Sequence, residues 1–390
     1  MNNSIIQLTD KYYESVMDLG EYAFNYKLTE QDREERKKVM KQQQVYGSFK
    51  EKHLAAKLHL LPMELYLGND KIEFGGIAGV ATWPEYRRQG HVDKLLRHSL
   101  TEMKQKSLSL SMLHPFSIGF YRKYGWELTQ YKYTYSFSPS DLPKQNTQGC
   151  CVDVSFQDSR NLIRSLYEEM ATRYSLMMKR EDWWWNNRVI STDHRVILYI
   201  NQNKVPTGYL IAKMDQQVLK VDEIVYRDGD ACLGLLGWVG NHDSMTNQVE
   251  MIVQPKDEIA FYFNNPKVKL NKSAYFMTRI VDFESFIWKY PFFSTEKMNI
   301  TIQLHDEIAE WNNGEWMVEI EDNRVKQVLF NSNKKSDAKI SLDIQSLAAL
   351  LFNSEDIQQL ITFNRIKIEG DVEGFKRLLQ PLQPALLDFF

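Results

Sequence analysis

Residues 87–92 read Arg-Arg-Gln-Gly-His-Val. Two guanidinium groups can give charge-assisted hydrogen bonds to a phosphate, and a glycine lets the backbone approach an anion with no Cβ in the way. Immediately afterwards Val92, Leu95, Leu96, Leu100 and Met103 recur at helical spacing, so a helix begins at this turn. The first N–H groups of a helix lack internal partners, and together with the helix dipole they favour an anion. Arg87, Arg88, Gln89, Gly90, His91, Val92 and Asp93 therefore form a candidate phosphate-binding set. Upstream, Gly75, Gly76 and Gly79 interrupt a strand-like run. Glycine inside a strand predicts a bulge or the close approach of another chain. A strand with open backbone there could pair with an extended amide such as the pantetheine arm of coenzyme A, whose diphosphate would then reach the turn.

Those residues need a scaffold, and the sequence sketches one. Tyr12, Val16, Leu19, Tyr22, Ala23 and Tyr26 recur at steps of three and four, which predicts an opening helix; the charged run QDREERKKVM predicts a second. Strand-like runs follow in VYGSFK, HLAAKLHLLPMELYLG and KIEFGGIAGVATW, then the helix at the turn, then SLSMLHP, a short helix SIGFYRKYG and the strand WELTQYKYTYSF. The stretch SPSDLPKQNTQG reads as a linker. A second set repeats this order: the helix NLIRSLYEEMATRYS, the strands RVILYINQNK, TGYLIAKMD and VLKVDEIVYRD, and the helix CLGLLGWVGNH. A third carries ITIQL, EWMVEIED and VKQVLF as strands, and IQSLAALLF and VEGFKRLLQPLQP as helices. The expectation is an α/β (α+β) chain of three modules, 1–140, 150–282 and 283–390, each of ordinary domain size.

Composition bounds the function. The net charge is −3, from 48 basic and 51 acidic residues, so no nucleic-acid or membrane footprint follows. No apolar run approaches a membrane span, and the opening residues lack a basic leader and an apolar signal core. Cys150, Cys151 and Cys232 make neither a disulfide framework nor a zinc pattern, and the histidines lack metal-site spacing. A reduced, cytoplasmic protein without metal is expected.

The pattern V-A-T-x-P-x-x-R-R-x-G-x-V, from Val80 to Val92, resembles the acetyl-CoA-binding motif of the GNAT N-acetyltransferase superfamily. That motif ordinarily ends in Gly or Ala; Val92 departs from it and is similar to the aliphatic ending of the Eis (enhanced intracellular survival protein) family. The segment HPFSIGFYRKYGWE and the aromatic end LLDFF also resemble that family, so the likeness spans the chain. It implies two tandem GNAT-like domains, the second degenerate, followed by a sterol-carrier-protein-like domain. It implies acetyl-CoA as co-substrate and a primary amine, aminoglycoside-like or a lysine side chain, as acceptor. It further implies cofactor contacts from the backbone of Val80, Ala81 and Thr82 and from Phe116 and Ser117, and a homo-oligomer, a hexamer in that family.

The resemblance assigns the general acid to Tyr121 in the short helix. A tyrosine hydroxyl stays protonated at neutral pH and can donate to a departing thiolate. Tyr124 and Tyr131 are nearby competitors. The resemblance also assigns the base to the main-chain carboxylate of Phe390. The apolar end fits, because free termini are ordinarily mobile and polar, and a docked, desolvated carboxylate is a stronger base. Glu21, Glu30 and Asp388 are candidate acids for a polycationic acceptor, and Tyr22, Phe24 and Tyr26 could wall its site or simply pack. In the second module Gly229 stands at the corresponding turn without an arginine pair, and Asp228 and Asp230 would repel a diphosphate. The run Trp183–Trp185 reads as a packing cluster. The rival function is a non-enzymatic CoA-sensing or lipid-binding protein that uses the third module.

Overall fold

The computed structural model describes residues 5–144, 146–293 and 296–390. The first module supplies β1 (Ile5–Gln7), β2 (Gln44–Lys50), β3 (His53–Leu67), β4 (Asp70–Thr82), β5 (Leu110–Leu113) and β6 (Glu127–Phe137), with α1 (Tyr13–Phe24), α2 (Glu30–Met40), α3 (His91–Gln105) and α4 (Ile118–Arg122). The second supplies β7 (Cys150–Val154), β8 (Ser175–Met178), β9 (Arg195–Ile200), β10 (Pro206–Asp215), β11 (Val218–Tyr226), β12 (Gln248–Val253) and β13 (Lys269–Ile280), with α5 (Phe156–Ala171) and a helix over Gly229–Gly240. The expected α+β character and three-module order are present.

The first two modules do not form separate sheets. Their strands form one thirteen-stranded sheet, ordered β1-β2-β3-β4-β5-β13-β6-β12-β11-β10-β9-β7, with β8 paired to β3. In each half two parallel neighbours lie at the centre, β4 with β5 and β11 with β12. The strand beyond β5 is β13, from the second module, and the strand beyond β12 is β6, from the first. Each half-sheet is thus closed by a strand of the other.

Most of β3 is buried, with residues of both faces covered from Leu54 to Leu60. Ala56, Leu58 and Leu60 pack with Leu95, Leu96 and Leu100 of α3. Lys57, His59, Leu61 and Met63 occupy the opposite face. β4 pairs with β5 only from Phe74–Leu110 to Ile77–Leu113, whereas its pairing with β3 runs on to Ala56–Thr82. Gly79 has φ +56, and the register with β3 shifts here. The bulge turns β4 away from β5, and Ala78–Thr82 keep an unpaired backbone edge on that side.

The third module is a five-stranded sheet, β14 (Met298–His305), β15 (Gly314–Glu321), β16 (Arg324–Phe330), β17 (Ala338–Asp343) and β18 (Ile366–Gly370), ordered β16-β15-β14-β17-β18. Its helix Ile344–Leu351 packs on β6 and β13, the two exchanged strands. The last residues leave this module. Ser175 of β8 accepts from the Ala385 N–H and donates to the Gln383 carbonyl, which carries the chain end back towards β3 and β4.

Candidate active site

The turn before α3 is shaped by its own backbone. Arg88 and Gly90 both have left-handed φ, +59 and +80. A Cβ at Gly90 would meet nothing within 4 Å, so the glycine serves conformation and leaves open space above it. The Gln89 side-chain amide donates to the Glu85 carbonyl at 2.8 Å and closes the turn. The first intrahelical bond runs from the Lys94 N–H to the Gly90 carbonyl, so the amides of His91, Val92 and Asp93 lack helical partners. Arg87 and Arg88 are exposed and, among the described residues, neither is ion-paired. The His91 imidazole is buried and bonded to Ser48 Oγ at 2.8 Å, which leaves only its backbone for an anion. Val92 packs against the core, and the Asp93 carboxylate is held by Arg97 Nε at 3.1 Å. The exposed cations, free amides and unpaired edge of β4 lie in one run of chain, a combination that fits a coenzyme A arm and diphosphate.

Glycines Gly75 and Gly76 have a different purpose from the one expected of them. A Cβ at Gly75 would run into Met103 and lie 2.8 Å from Leu60; one at Gly76 would lie 2.5 Å from Met63 and 2.9 Å from the Phe390 ring. They make room for side chains, not for a ligand. The open stretch begins at Ala78.

Tyr121 lies in α4, which starts at Ser117, whose Oγ accepts from the Phe120 N–H at 3.4 Å. Gly125, at φ +87, lets the chain turn after the helix. Tyr121 is 3% exposed, with ring neighbours Phe116, Phe120 and Trp126. Its hydroxyl has no hydrogen-bond partner among the described residues, and burial raises its pKa well above the ordinary value. It stays a proton donor at any physiological pH. Phe116, 72% exposed, covers it from outside. The competitors are engaged elsewhere: Tyr124 interacts with Asp93, and Lys272 lies 3.8 Å over the Tyr131 ring.

The chain end is docked. The Phe390 ring is 9% exposed and lies 4.7 Å from Phe276, 5.9 Å from Phe74 and 6.5 Å from Trp184, centroid to centroid. Phe389 meets His114, the residue after β5, at 4.9 Å. Asp388 is a strut and not a free acid. It accepts from Arg180 Nε and Trp184 Nε1 at 2.9 and 2.7 Å, and its carbonyl accepts from the Tyr275 hydroxyl. Arg180 also pairs with Glu223 at 2.7 Å. Glu21 is likewise engaged, with Arg33 at 2.6 Å and the Leu28 N–H at 2.7 Å. Glu30 is exposed at the start of α2. Tyr22 and Phe24 are exposed; Tyr22 lies 5.1 Å from Trp83, beside the open edge of β4.

Sequence reasoning missed a basic set on the other face of β3. Lys57 is 4% exposed, and its Nζ is 3.3 Å from His59 Nε2. Burial, and then the charge of Arg36, lower its pKa to about 7. Burial and Lys57 hold the His59 pKa well below the usual value. Desolvation and Arg36 also lower the pKa of Arg188, whose guanidinium lies 5.8 Å over Trp184. The signal was present in the alternation of HLAAKLHLL, which puts Lys57 and His59 on one face.

At the corresponding turn of the second module, Asp228 caps the helix Gly229–Gly240 through the Ala231 N–H at 2.8 Å, and Asp230 accepts from the Tyr199 hydroxyl. A carboxylate already occupies the Ala231 amide.

Models of GNAT acetyltransferase domains match residues 4–129 and 176–280, and a sterol carrier protein model matches 283–387. Among functionally curated proteins none matches in sequence. The chain is similar in structure to a probable N-acyltransferase from Enterococcus faecalis V583, at 25% identity and TM-score 0.92, covering 99% of each chain. It shares its fold with a GCN5-related N-acetyltransferase from Anabaena variabilis, at 19% identity and TM-score 0.87, over 99% of this chain and 100% of the other. It also shares it with Eis1 from Mycobacterium abscessus, at 15% identity and TM-score 0.80, again over 99% and 100%. The chain belongs to the GNAT acetyltransferases, in the Eis-like arrangement of two such domains followed by a sterol carrier protein domain.

Proposed function

We propose that this enzyme acetylates a primary amine in its first module, with acetyl-CoA bound along Val80–Thr82 and the turn Arg87–Asp93. The observation that carries the reading is the run of free amides after Gly90, flanked by unpaired Arg87 and Arg88 and led into by the unpaired edge of β4. Phe116 and Ser117 would flank the thioester end. When bound, acetyl-CoA supplies the acetyl group as an activated thioester. The Phe390 carboxylate takes a proton from the acceptor ammonium, and the Tyr121 hydroxyl gives one to the departing thiolate. Tyr121 suits that role because it is buried, protonated and without a partner. The capped helix of the second module supports reading that module as a scaffold without its own cofactor site.

Two measurements test this. Tyr121→Phe lowers kcat about 100-fold or more, the ordinary range for a lost acid, and a short tag after Phe390 abolishes turnover; both leave acetyl-CoA affinity within about twofold. Full activity in either refutes that residue's role. Charge reversal at Arg87 and Arg88 weakens acetyl-CoA binding by at least about 100-fold, from roughly 1.5–3 kcal/mol for each of two charge-assisted bonds. Undiminished affinity by calorimetry would move the cofactor elsewhere.

A further inference from the structure

The acceptor side of this site has the wrong charge for a polycation. β3 turns Lys57 and His59 to the face on which the Phe390 ring rests against Gly76. In α1, Gly20 makes the space for the ammonium: a Cβ there would be 3.2 Å from Lys57 Nζ and 2.7 Å from the Tyr26 hydroxyl. From α2, Arg36 lies over the Tyr26 ring at 4.9 Å, and its charge acts on Lys57, His59 and Arg188. From the second module, Arg188 lies over Trp184, which touches the Phe390 ring. Contacts through Gly20, Tyr26, Trp184 and Phe390 thus tie Lys57, Arg36 and Arg188 to the Phe390 side of β3.

Among the described residues none of these cations is ion-paired, and the Phe390 carboxylate pairs with none of them. Most nearby acids are committed: Glu21 to Arg33, Asp388 to Arg180, and Glu64 to Lys179 at 2.5 Å, while Asp32, bonded to Thr29, acts on Arg36 only through its charge. A buried ammonium without a counter-ion is a standing cost to the fold, and a ligand anion relieves it. Arg36 and Arg188 are exposed residues, although desolvation still acts on the Arg188 guanidinium.

We propose that the acceptor amine carries an anionic group, a carboxylate or a phosphate, which is held by Lys57, Arg36 and Arg188 while the amine faces the terminal carboxylate. This rests on reading the first module as the acetyl-transfer site. It disfavours the polycationic acceptors expected from resemblance, because their further ammonium groups would meet like charge.

The test compares matched amines at equal free-base concentration by thiol release from acetyl-CoA: phosphoethanolamine against ethanolamine, glycine against glycinamide, and an aminoglycoside. The expected result is at least a tenfold preference in kcat/KM for an anionic partner over its neutral match, with the two pairs separating phosphate from carboxylate. That ratio falls to within about threefold in Lys57→Met and in the solvent-accessible pair Arg36→Gln and Arg188→Gln, and Arg188→Glu inverts it. Equal or better turnover of the neutral or polycationic amines overturns the proposal and leaves acetyl transfer intact. So does an equal loss towards every amine in Lys57→Met, which would make that lysine a partner of the terminal carboxylate only. If no amine is turned over, the acetyl-transfer reading falls. Calorimetric binding of phosphoethanolamine and ethanolamine to wild type and Arg188→Glu then decides the charge preference by itself.

Discussion

Lys57 shows how one side chain joins stability to recognition. Unfolded, it holds its proton to about pH 10.5; folded, it gives it up near pH 7, because burial and Arg36 oppose the charge. Between those values the unfolded state binds more protons, so stability rises with pH across that window, and below pH 7 the full penalty applies. The difference in pKa sets that penalty on the order of 5 kcal/mol. His59 does not titrate in this window, its pKa being far below it. Lys57→Met is therefore more stable than wild type at pH 6.5, by a margin that shrinks towards pH 10. Denaturant midpoints at pH 6.5, 8 and 9.5 measure it, and parallel curves for the two proteins would contradict it. Sequence inspection did not single out this lysine, since a strand lysine ordinarily faces water. Only the layer of α1 and α2 over β3 makes it an interior group. The Arg87–Gly90 turn was legible because a helix start, a glycine and two cations are contiguous in the chain.

At the scale of elements, two glycines of similar appearance do different things. Gly90 is required by its left-handed φ, whereas Gly76 is required by the ring of a residue more than three hundred positions away. Gly76→Val would overpack this contact, at a cost of about 1–3 kcal/mol, and push Phe390 off β4. Its kcat falls at least tenfold while acetyl-CoA affinity holds, because the open edge begins beyond it at Ala78. Unchanged kcat by steady-state assay would show that the terminal ring need not rest there. Element types near the site were legible from periodicity, including the short helix α4. The end of NLIRSLYEEMATRYS was not: the helix stops at Ala171, and Ser175 starts β8, because pairing with β3 and with the tail outweighs helical spacing.

Across the whole molecule the candidate site draws on all three modules. The exchanged strands β6 and β13 fuse the first two sheets, a pairing no local pattern could announce, since both partners of each ladder read as ordinary strands. The third module fixes α4. Arg279 of β13 donates to the Tyr124 carbonyl and pairs with Asp306 at 2.7 Å, and Gln345 Nε2 donates to the Arg122 carbonyl at 2.9 Å. The tail then returns through the second module, where Arg180 clamps Asp388, before it reaches β4. That clamp gives the most direct test of assembly. Asp388→Asn leaves the Arg180–Glu223 pair in place but removes the charge that anchors the tail, two residues from the terminal carboxylate. Loss of one partner of a buried pair costs about 3 kcal/mol, enough to free six residues without unfolding the sheets. The expected outcome is at least a tenfold fall in kcat with unaltered acetyl-CoA affinity, since among the described residues no hydrogen bond or ion pair joins the Arg87–Asp93 turn to the tail. Wild-type kcat in this variant would mean that Tyr275 and the aromatic contacts of Phe389 and Phe390 seat the terminus without the clamp.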